Sequence, residues 1–323
     1  RDDRGDIQVA FGSRCRPDTD RLVRHGDVLQ RSGPGGIAWA PVMLLAPALG
    51  LVTVLFGGGL VLGFLQSLGY VPAAGMKAYT LQHFENILTD SGFLKSLGVT
   101  FYISVVSTVV AGALSISAAL FLIGFRGPRR LVGFIFEIPL AVPHLVIATA
   151  AVFLLAPSGM ISRILQAAGL IDGASRFPLL INDHRGVGII LAYVWKEIPF
   201  ITLMIFSVLR NTGVELLEVG RTLKAGPWQR FRYITLPTIS PSLGAACLIV
   251  FAYTFGAFEI PFLLGQTYPM MLPVWAYKNY SDVDLLARPE GIATGIIIAG
   301  VIIVAIVLSQ ALIQAARRRG AVL

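Results

Sequence analysis

The chain has 323 residues, of which 55% are hydrophobic and 14% are charged, and its net charge is +8. About a quarter of the residues in a soluble globular domain are charged, so this composition excludes that class. The basic residues lie between hydrophobic runs and form no single soluble face, which argues against nucleic-acid binding. Two cysteines, Cys15 and Cys247, are too few for a disulfide framework or a metal site.

Long hydrophobic runs dominate the chain. Four of them contain no Asp, Glu, Lys or Arg: 32–76, 96–125, 233–258 and 291–316. A helix that crosses a bilayer needs about 20 apolar residues, so each run can hold one. We therefore predict an all-α polytopic membrane protein with six transmembrane helices, near 37–67, 97–124, 131–156, 187–210, 242–264 and 291–315.

These helices divide the chain into four regions. We predict an N-terminal tail (1–36), a first transmembrane helix (37–69), a core with helices two to six (70–315) and a C-terminal tail (316–323). With six helices, both tails lie on one side of the membrane. That side carries 18 Lys and Arg residues and the opposite side carries seven. Because basic loops stay in the cytoplasm, we predict a multi-pass cell-membrane protein with both termini cytoplasmic.

One of the predicted outer loops has helical periodicity. Between 158 and 170 the apolar residues Ile161, Ile164, Leu165 and Ala168 are spaced to share one helical face. This spacing predicts a short helix that lies at the outer membrane interface, with an ordinary loop as the alternative.

Ionisable residues inside the predicted spans are candidates for a translocation pathway. Charges at membrane depth are costly and usually face the bundle interior or a pathway. The candidates are Glu137, His144, Lys196, Glu197 and Glu259. Glu259 is the strongest of them, since Gly256 and Pro261 loosen the helix around it. The alternatives are a structural ion pair for the charged residues and an ordinary buried histidine for His144.

The segment 211–241 interrupts the hydrophobic pattern with polar and basic residues. Gly226 can end one helix and Pro227 can begin the next, because the first helical position needs no N–H. Trp228 and Tyr233 add aromatic groups to the second helix, and Pro237 with Pro241 would close the unit. We predict a helix–turn–helix elbow that exposes a docking surface on the cytoplasmic side. The alternative is an amphipathic elbow lying on the inner leaflet.

This elbow resembles the EAA loop of permease subunits from binding-protein-dependent ABC importers. The family pattern runs E-A-A-x-x-x-G-A, then P-W, F and L-P. The resemblance extends to the six-span type I layout and covers roughly 75–315. It implies that the matching residues contact a separate ATPase: Glu218, Gly220, Leu223, Ala225, Gly226, Pro227, Trp228, Phe231, Leu236 and Pro237.

The chain departs from the pattern at two places in the elbow. Glu218-Val219-Gly220 stands where the pattern has E-A-A, and Lys224 stands where the family has glycine. Lysine tolerates a positive φ poorly, so we predict that Gly226 makes the turn instead.

The resemblance implies partners and excludes a nucleotide site in this chain. No G-x-x-x-x-G-K-[ST] phosphate loop is present, so we predict a transport subunit that is not an enzyme. It implies a second permease subunit, two ATPase subunits that hold ATP and Mg²⁺, and an extracytoplasmic substrate-binding protein, in a bacterial inner membrane. We predict no catalytic residue, no metal site and no cofactor bound by this chain.

Two other function classes have less support. A self-powered secondary transporter or channel usually shows related halves, and no internal repeat is apparent. An intramembrane enzyme needs a catalytic constellation, but the six spans hold no aspartate and His144 is their one histidine.

The solute is predicted less specifically than the transport role. The segments 139–144, 194–200 and 255–265 resemble the family branch that serves polyamines, ferric iron and thiamine. The spans hold the acids Glu137, Glu197 and Glu259 against the single base Lys196, which favours a small cation such as a polyamine. A sugar, a phosphonate or another organic anion remains the alternative.

Overall fold

The computed structural model describes residues 39–72, 75–125 and 129–320. Within these ranges the chain is helical and contains no strand. Six stretches are long and apolar enough to cross a membrane: Met43–Ser67, Ser91–Gly124, His144–Ala167, Val187–Asn211, Pro227–Gly256 and Leu285–Ala315. The prediction of an all-α protein with six transmembrane helices is confirmed. The tails 1–36 and 321–323 lie outside the described residues.

The described chain falls into two units, divided after Leu60. The first contains α1 (Trp39–Val52), a π-helical turn (Thr53–Gly57) and the beginning of α2 (Gly58–Ser67). Its large side chains, among them Leu44, Leu55 and Phe56, are mostly exposed. A helix that is apolar on every side suits a lipid environment.

The second unit is a helical bundle. Its α-helices are α3 (Gln82–Thr89), α4 (Ser91–Gly124), α5 (Arg129–Ala141), α6 (His144–Leu155), α7 (Met160–Ala167), α8 (Val187–Val208), α9 (Val214–Thr222), α10 (Pro227–Arg230), α11 (Leu236–Gly256), α12 (Glu259–Leu264), α13 (Leu272–Tyr280) and α14 (Arg288–Gly320). Helix α7 lies within the segment predicted to form a short outer helix.

Helices α4 and α8 form the centre of the bundle. They contact each other most extensively, α11 packs against both, and α14 packs on α13 and α11. Helix α4 presents small residues to its neighbours, including the buried Ser104, Ala111 and Ala119. Small side chains let transmembrane helices approach closely, and van der Waals packing then holds them together. The Ser115 hydroxyl adds a bond across the interface, donating to the Ile198 carbonyl at 3.0 Å.

The third predicted span is interrupted. We predicted one helix over 131–156, but α5 ends at Ala141 and α6 begins at His144. Pro143 has a ψ of 145° and no N–H, so it cannot continue the hydrogen-bond ladder of α5. Broken backbone at membrane depth is tolerated where protein groups satisfy it, and a lysine does so here, as described below.

The fifth predicted span begins earlier and ends earlier than expected. We predicted 242–264, with Pro237 and Pro241 closing the elbow before it. Instead, α10, a π-helical turn (Phe231–Thr235) and α11 run without interruption from Pro227 to Gly256. The π-turn directly precedes Pro237, which lies in the first turn of α11, where its missing N–H does not end the helix. The helix breaks instead at Ala257 and Phe258, before α12.

Candidate functional site

The elbow lies between α8 and α11 at one end of the bundle. Helix α9 ends at Thr222 and α10 begins at Pro227, which confirms the predicted helix–turn–helix geometry. The Lys224 N–H donates to the Arg221 carbonyl at 2.9 Å, and the Ala225 N–H donates to the Gly220 carbonyl at 3.0 Å. These two bonds define a Schellman motif, in which the residue after the helix is left-handed.

The residue that makes this turn is Lys224, with a φ of +57°. The prediction that Gly226 takes over the turn is therefore wrong. Gly226 has a φ of −65° and a ψ of 163°, which is extended backbone that any residue adopts. The two bonds of the Schellman motif hold the lysine in the conformation that the family gives to glycine. Placing a non-glycine residue there costs about 1 kcal/mol.

Helix α10 has two features that define where it begins. The Gln229 side chain reaches back, and its Oε1 accepts from the Gly226 N–H at 2.9 Å. Pro227 occupies the first turn, where its missing N–H and fixed φ carry no penalty. A short helix that is fixed at its start presents its side chains in one orientation.

The elbow exposes large apolar side chains. Leu223 is 76% exposed, Trp228 is 73% exposed and Tyr233 is 74% exposed. The Trp228 ring packs against Phe231 at a centroid distance of 5.6 Å, which leaves its other face open. We call this set, Leu223, Trp228 and Tyr233, the elbow surface.

The predicted ATPase contacts differ in exposure. Trp228 and Leu223 lie at the surface, and Gly220 is buried beneath it. The exposed members are Glu218, Leu223, Pro227, Trp228 and Pro237; the partly buried ones are Ala225, Gly226, Phe231 and Leu236. The exposed residues are accessible to a partner, whereas the buried and partly buried residues contribute to the packing of the elbow itself.

Gly220 supports the elbow by allowing two segments to touch. A Cβ atom at this position would lie 2.7 Å from Ile234 Cδ1 and 3.3 Å from Arg230 Cγ. Helix α9 therefore packs directly against the turn Phe231–Thr235 because residue 220 has no side chain. This explains physically why small residues are needed at this point of the loop.

We expect Lys224→Gly to stabilise the elbow by about 1 kcal/mol, because glycine adopts a left-handed φ without steric cost. Slower hydrogen exchange of the backbone amides at positions 224 and 225 would show this stabilisation. Lys278→Gly is the matched control. Lys278 lies inside α13, where glycine is expected to cost about 1 kcal/mol. Faster exchange at residues 224 and 225 in the first variant would contradict the expectation.

Lys196 lies inside the bundle and donates hydrogen bonds to backbone carbonyls at the end of α5. Its side chain is 5% exposed, and its Nζ donates to the carbonyls of Pro139 at 2.5 Å, Leu140 at 3.2 Å and Val142 at 2.6 Å. The Pro139 carbonyl would normally accept from the N–H of residue 143, which is a proline and has none. The ammonium group replaces that donor and places positive charge at a helix C-terminus, where it is favourable.

His144, Glu197 and Tyr253 come together beside this break. The His144 Nε2 lies 3.9 Å from Glu197 Oε1. The His144 ring packs on Tyr253 with 4.6 Å between centroids. Tyr253 was not among the predicted pathway residues, and a lone tyrosine in an apolar span gives no signal in the sequence. Its contact with His144 depends on how α6 and α11 pack.

The remaining two candidates lie apart from that contact. Glu259 is partly buried at the first position of α12, next to the break at Ala257 and Phe258. It lines an open cleft together with Tyr253 and Phe258. Glu137 lies on α5 with its side chain exposed. The structure thus brings Glu259 close to Tyr253 and leaves Glu137 outside the cleft.

The fold and the site define a polytopic helical membrane protein with an exposed apolar elbow and charged residues at two helix breaks. Residues 111–319 match the family described as the inner membrane component of binding-protein-dependent transport systems. The chain therefore belongs to this family of ABC importer permeases.

Individual relatives cover much of the chain at modest identity. The molybdenum transport system permease protein ModB of Azotobacter vinelandii is 26% identical over 52% of this chain and 71% of its own length. The sulfate transport system permease protein CysT of Escherichia coli strain K12 is 26% identical over 57% of this chain and 64% of its own length.

Solved structures share the fold. A bacterial ABC transporter involved in the import of the acidic polysaccharide alginate matches with a TM-score of 0.72 and 21% identity. That match covers 92% of this chain and 99% of the other. A second structure, of the alginate transporter in complex with a periplasmic protein that binds an alginate pentasaccharide, matches with a TM-score of 0.70.

Proposed function

We propose that this chain is the membrane-spanning subunit of an ATP-driven importer and forms the translocation pathway for a small polar solute. The observation that carries the proposal is the elbow surface, a group of exposed apolar side chains on a rigid helix–turn–helix. A partner that covers Leu223, Trp228 and Tyr233 removes this apolar area from water, which is favourable.

The partner that best fits the elbow surface is a separate ATPase subunit, since the chain has no phosphate-binding loop of its own. The excess of Lys and Arg on the elbow's side of the membrane supports a cytoplasmic position, where ATP is available. A second permease subunit and an extracytoplasmic binding protein complete the assembly. The alginate transporter described with its periplasmic protein supports the latter partner.

Transport would proceed by alternating access. ATP binding brings the two ATPases together and moves the elbow, and the spans rock so that the central cavity opens outward. Hydrolysis and release of the products return the spans to the inward-open arrangement. The role of this chain in that cycle is mechanical, because the ATP chemistry takes place in the partner subunits.

We expect Leu223→Asp to abolish co-purification with the ATPase and solute uptake, because it places a charge on the apolar elbow surface. Leu170→Asp is the matched control, since Leu170 is 70% exposed and lies away from the elbow. That variant should retain the ATPase. If Leu223→Asp also retained the ATPase and full uptake, the coupling role of the elbow would be wrong.

For the solute we favour a small cation such as a polyamine. Glu259 lies in a cleft with aromatic residues, and the ammonium group of Lys196 is engaged with backbone carbonyls. The names of the molybdenum and sulfate relatives favour an anion as the second candidate. Uptake of labelled putrescine by the assembled importer, with sulfate and molybdate as alternative solutes, separates the two.

A further inference from the structure

Two interrupted helices meet inside the bundle. Helix α6, which follows the break before His144, packs directly on α12, which follows the break at Ala257, and α8 contacts both. The fully buried Tyr193 of α8 packs in one cluster with Ile147 of α6, with Ala257 and with Ile260 of α12. The two breaks are thus neighbours in space, although more than a hundred residues separate them in the chain.

The second break opens a cleft of about 410 Å³, lined by Ala252, Tyr253, Gly256, Ala257, Phe258 and Glu259. This volume is within the range of small-molecule sites, about 300–1,000 Å³. Gly256 and Ala257 have little or no side chain, so the larger residues Tyr253, Phe258 and Glu259 supply the chemistry of the cleft.

These three residues suit a positively charged ligand. A carboxylate attracts a cation directly, and the face of an aromatic ring attracts it through the ring quadrupole, within about 6 Å of the ring centroid. Among the residues that the structure describes, no Lys or Arg lines the cleft. The nearest base along α8, Lys196, has its ammonium group on the carbonyls at the end of α5.

The Tyr253 ring also contacts a histidine. His144 packs on it at 4.6 Å between centroids, and the His144 Nε2 lies 3.9 Å from Glu197 Oε1. Two buried polar atoms in this region, the Tyr193 hydroxyl and the His144 Nε2, have no hydrogen-bond partner among the described residues. Each of these two groups can still form a hydrogen bond.

We propose that Tyr253 and Glu259 form a subsite that binds a cationic amino group of the solute during its passage through the bundle. Glu259 supplies the charge, Tyr253 supplies the aromatic face, and His144 is a positioning residue that holds the Tyr253 ring at the cleft. The inference rests on the proposed importer role and deepens it by naming the chemistry that selects the solute.

The test uses the complete importer, with ATPase and binding protein, in proteoliposomes supplied with ATP and labelled putrescine. We expect Tyr253→Leu and Glu259→Gln each to raise the KM for putrescine uptake about tenfold. Tyr253→Phe should retain the wild-type KM, because it keeps the aromatic face. All three variants should retain the ATPase subunits, since the elbow is unchanged.

Two control variants lie outside the cleft. Tyr102→Leu removes an exposed tyrosine from α4, and Glu85→Gln neutralises an exposed carboxylate on α3. Both should leave the KM unchanged. If Tyr253→Leu fails to assemble, Glu259→Gln, which preserves the shape of the side chain, carries the same test.

The outcomes distinguish the subsite from the importer role. Uptake of putrescine by the wild type, with both cleft variants equal to the controls, overturns the subsite alone. Uptake of sulfate or molybdate but not of putrescine overturns the cationic solute and the subsite, and leaves the importer role. A wild-type complex that assembles and transports none of these solutes counts against the proposed function.

Discussion

Lys196→Met should destabilise the bundle by about 3 kcal/mol or more, because it removes the donor that satisfies three backbone carbonyls at the end of α5. A carbonyl left unpaired inside the membrane has no water to replace the lost bond. Methionine fills a similar volume, so the loss reports on hydrogen bonding and charge rather than on a cavity.

The measurement is the melting temperature of the purified permease in detergent, read together with the yield of folded protein. Lys278→Met is the control, since Lys278 is exposed on α13 and its replacement should leave the melting temperature unchanged. Lys196→Arg keeps a cationic donor and should recover part of the loss. Equal melting temperatures for Lys196→Met and Lys278→Met would show that the ammonium group does not hold the break together.

The second large effect is expected from Gly220→Leu. A Cβ at this position would lie 2.7 Å from Ile234 Cδ1 and 3.3 Å from Arg230 Cγ, so a leucine forces the turn Phe231–Thr235 to shift against α9. We expect uptake to fall at least about tenfold and the ATPase to dissociate, because the elbow surface loses its orientation. The bundle should remain folded, since Gly220 lies at its end.

Gly98→Leu provides the control for this experiment. Gly98 lies on a transmembrane helix, and a Cβ at that position would meet no atom within 4 Å. The Gly98→Leu variant tests whether a leucine added where there is free space reduces uptake. Full uptake by Gly220→Leu, or an equal loss in both variants, would contradict the idea that close packing of α9 on the turn Phe231–Thr235 transmits the motion.

The six spans could be predicted because hydropathy reports directly on the length of apolar chain that lipid requires. The position of the breaks could not be predicted in the same way. Pro47, Pro199 and Pro241 all lie within helices, whereas Pro143 ends one. What distinguishes Pro143 is the ammonium group of Lys196, 53 positions further along the chain, and a local pattern does not contain that partner.

The elbow shows the same contrast. Its helix–turn–helix form follows from Gly226, Pro227 and the flanking polar residues, and the structure confirms it. The identity of the left-handed residue depends on which carbonyls the next amides reach, and the Schellman bonds place Lys224 there. In an isolated peptide, the steric cost of a left-handed lysine favours Gly226 at the turn. In the folded elbow, the Schellman hydrogen bonds compensate the strain of the lysine.

The unbroken helix from Pro227 to Gly256 has a mechanical consequence. At 1.5 Å per residue, the distance along it from Trp228 to Tyr253 is about 38 Å. The π-helical turn Phe231–Thr235 continues directly into α11, so the helix does not end there. The helix is therefore a lever, with the elbow surface at one end and the cleft near the other. A tilt of about 5° at the elbow would move the Tyr253 ring by about 3 Å, which is roughly the donor–acceptor distance of one hydrogen bond.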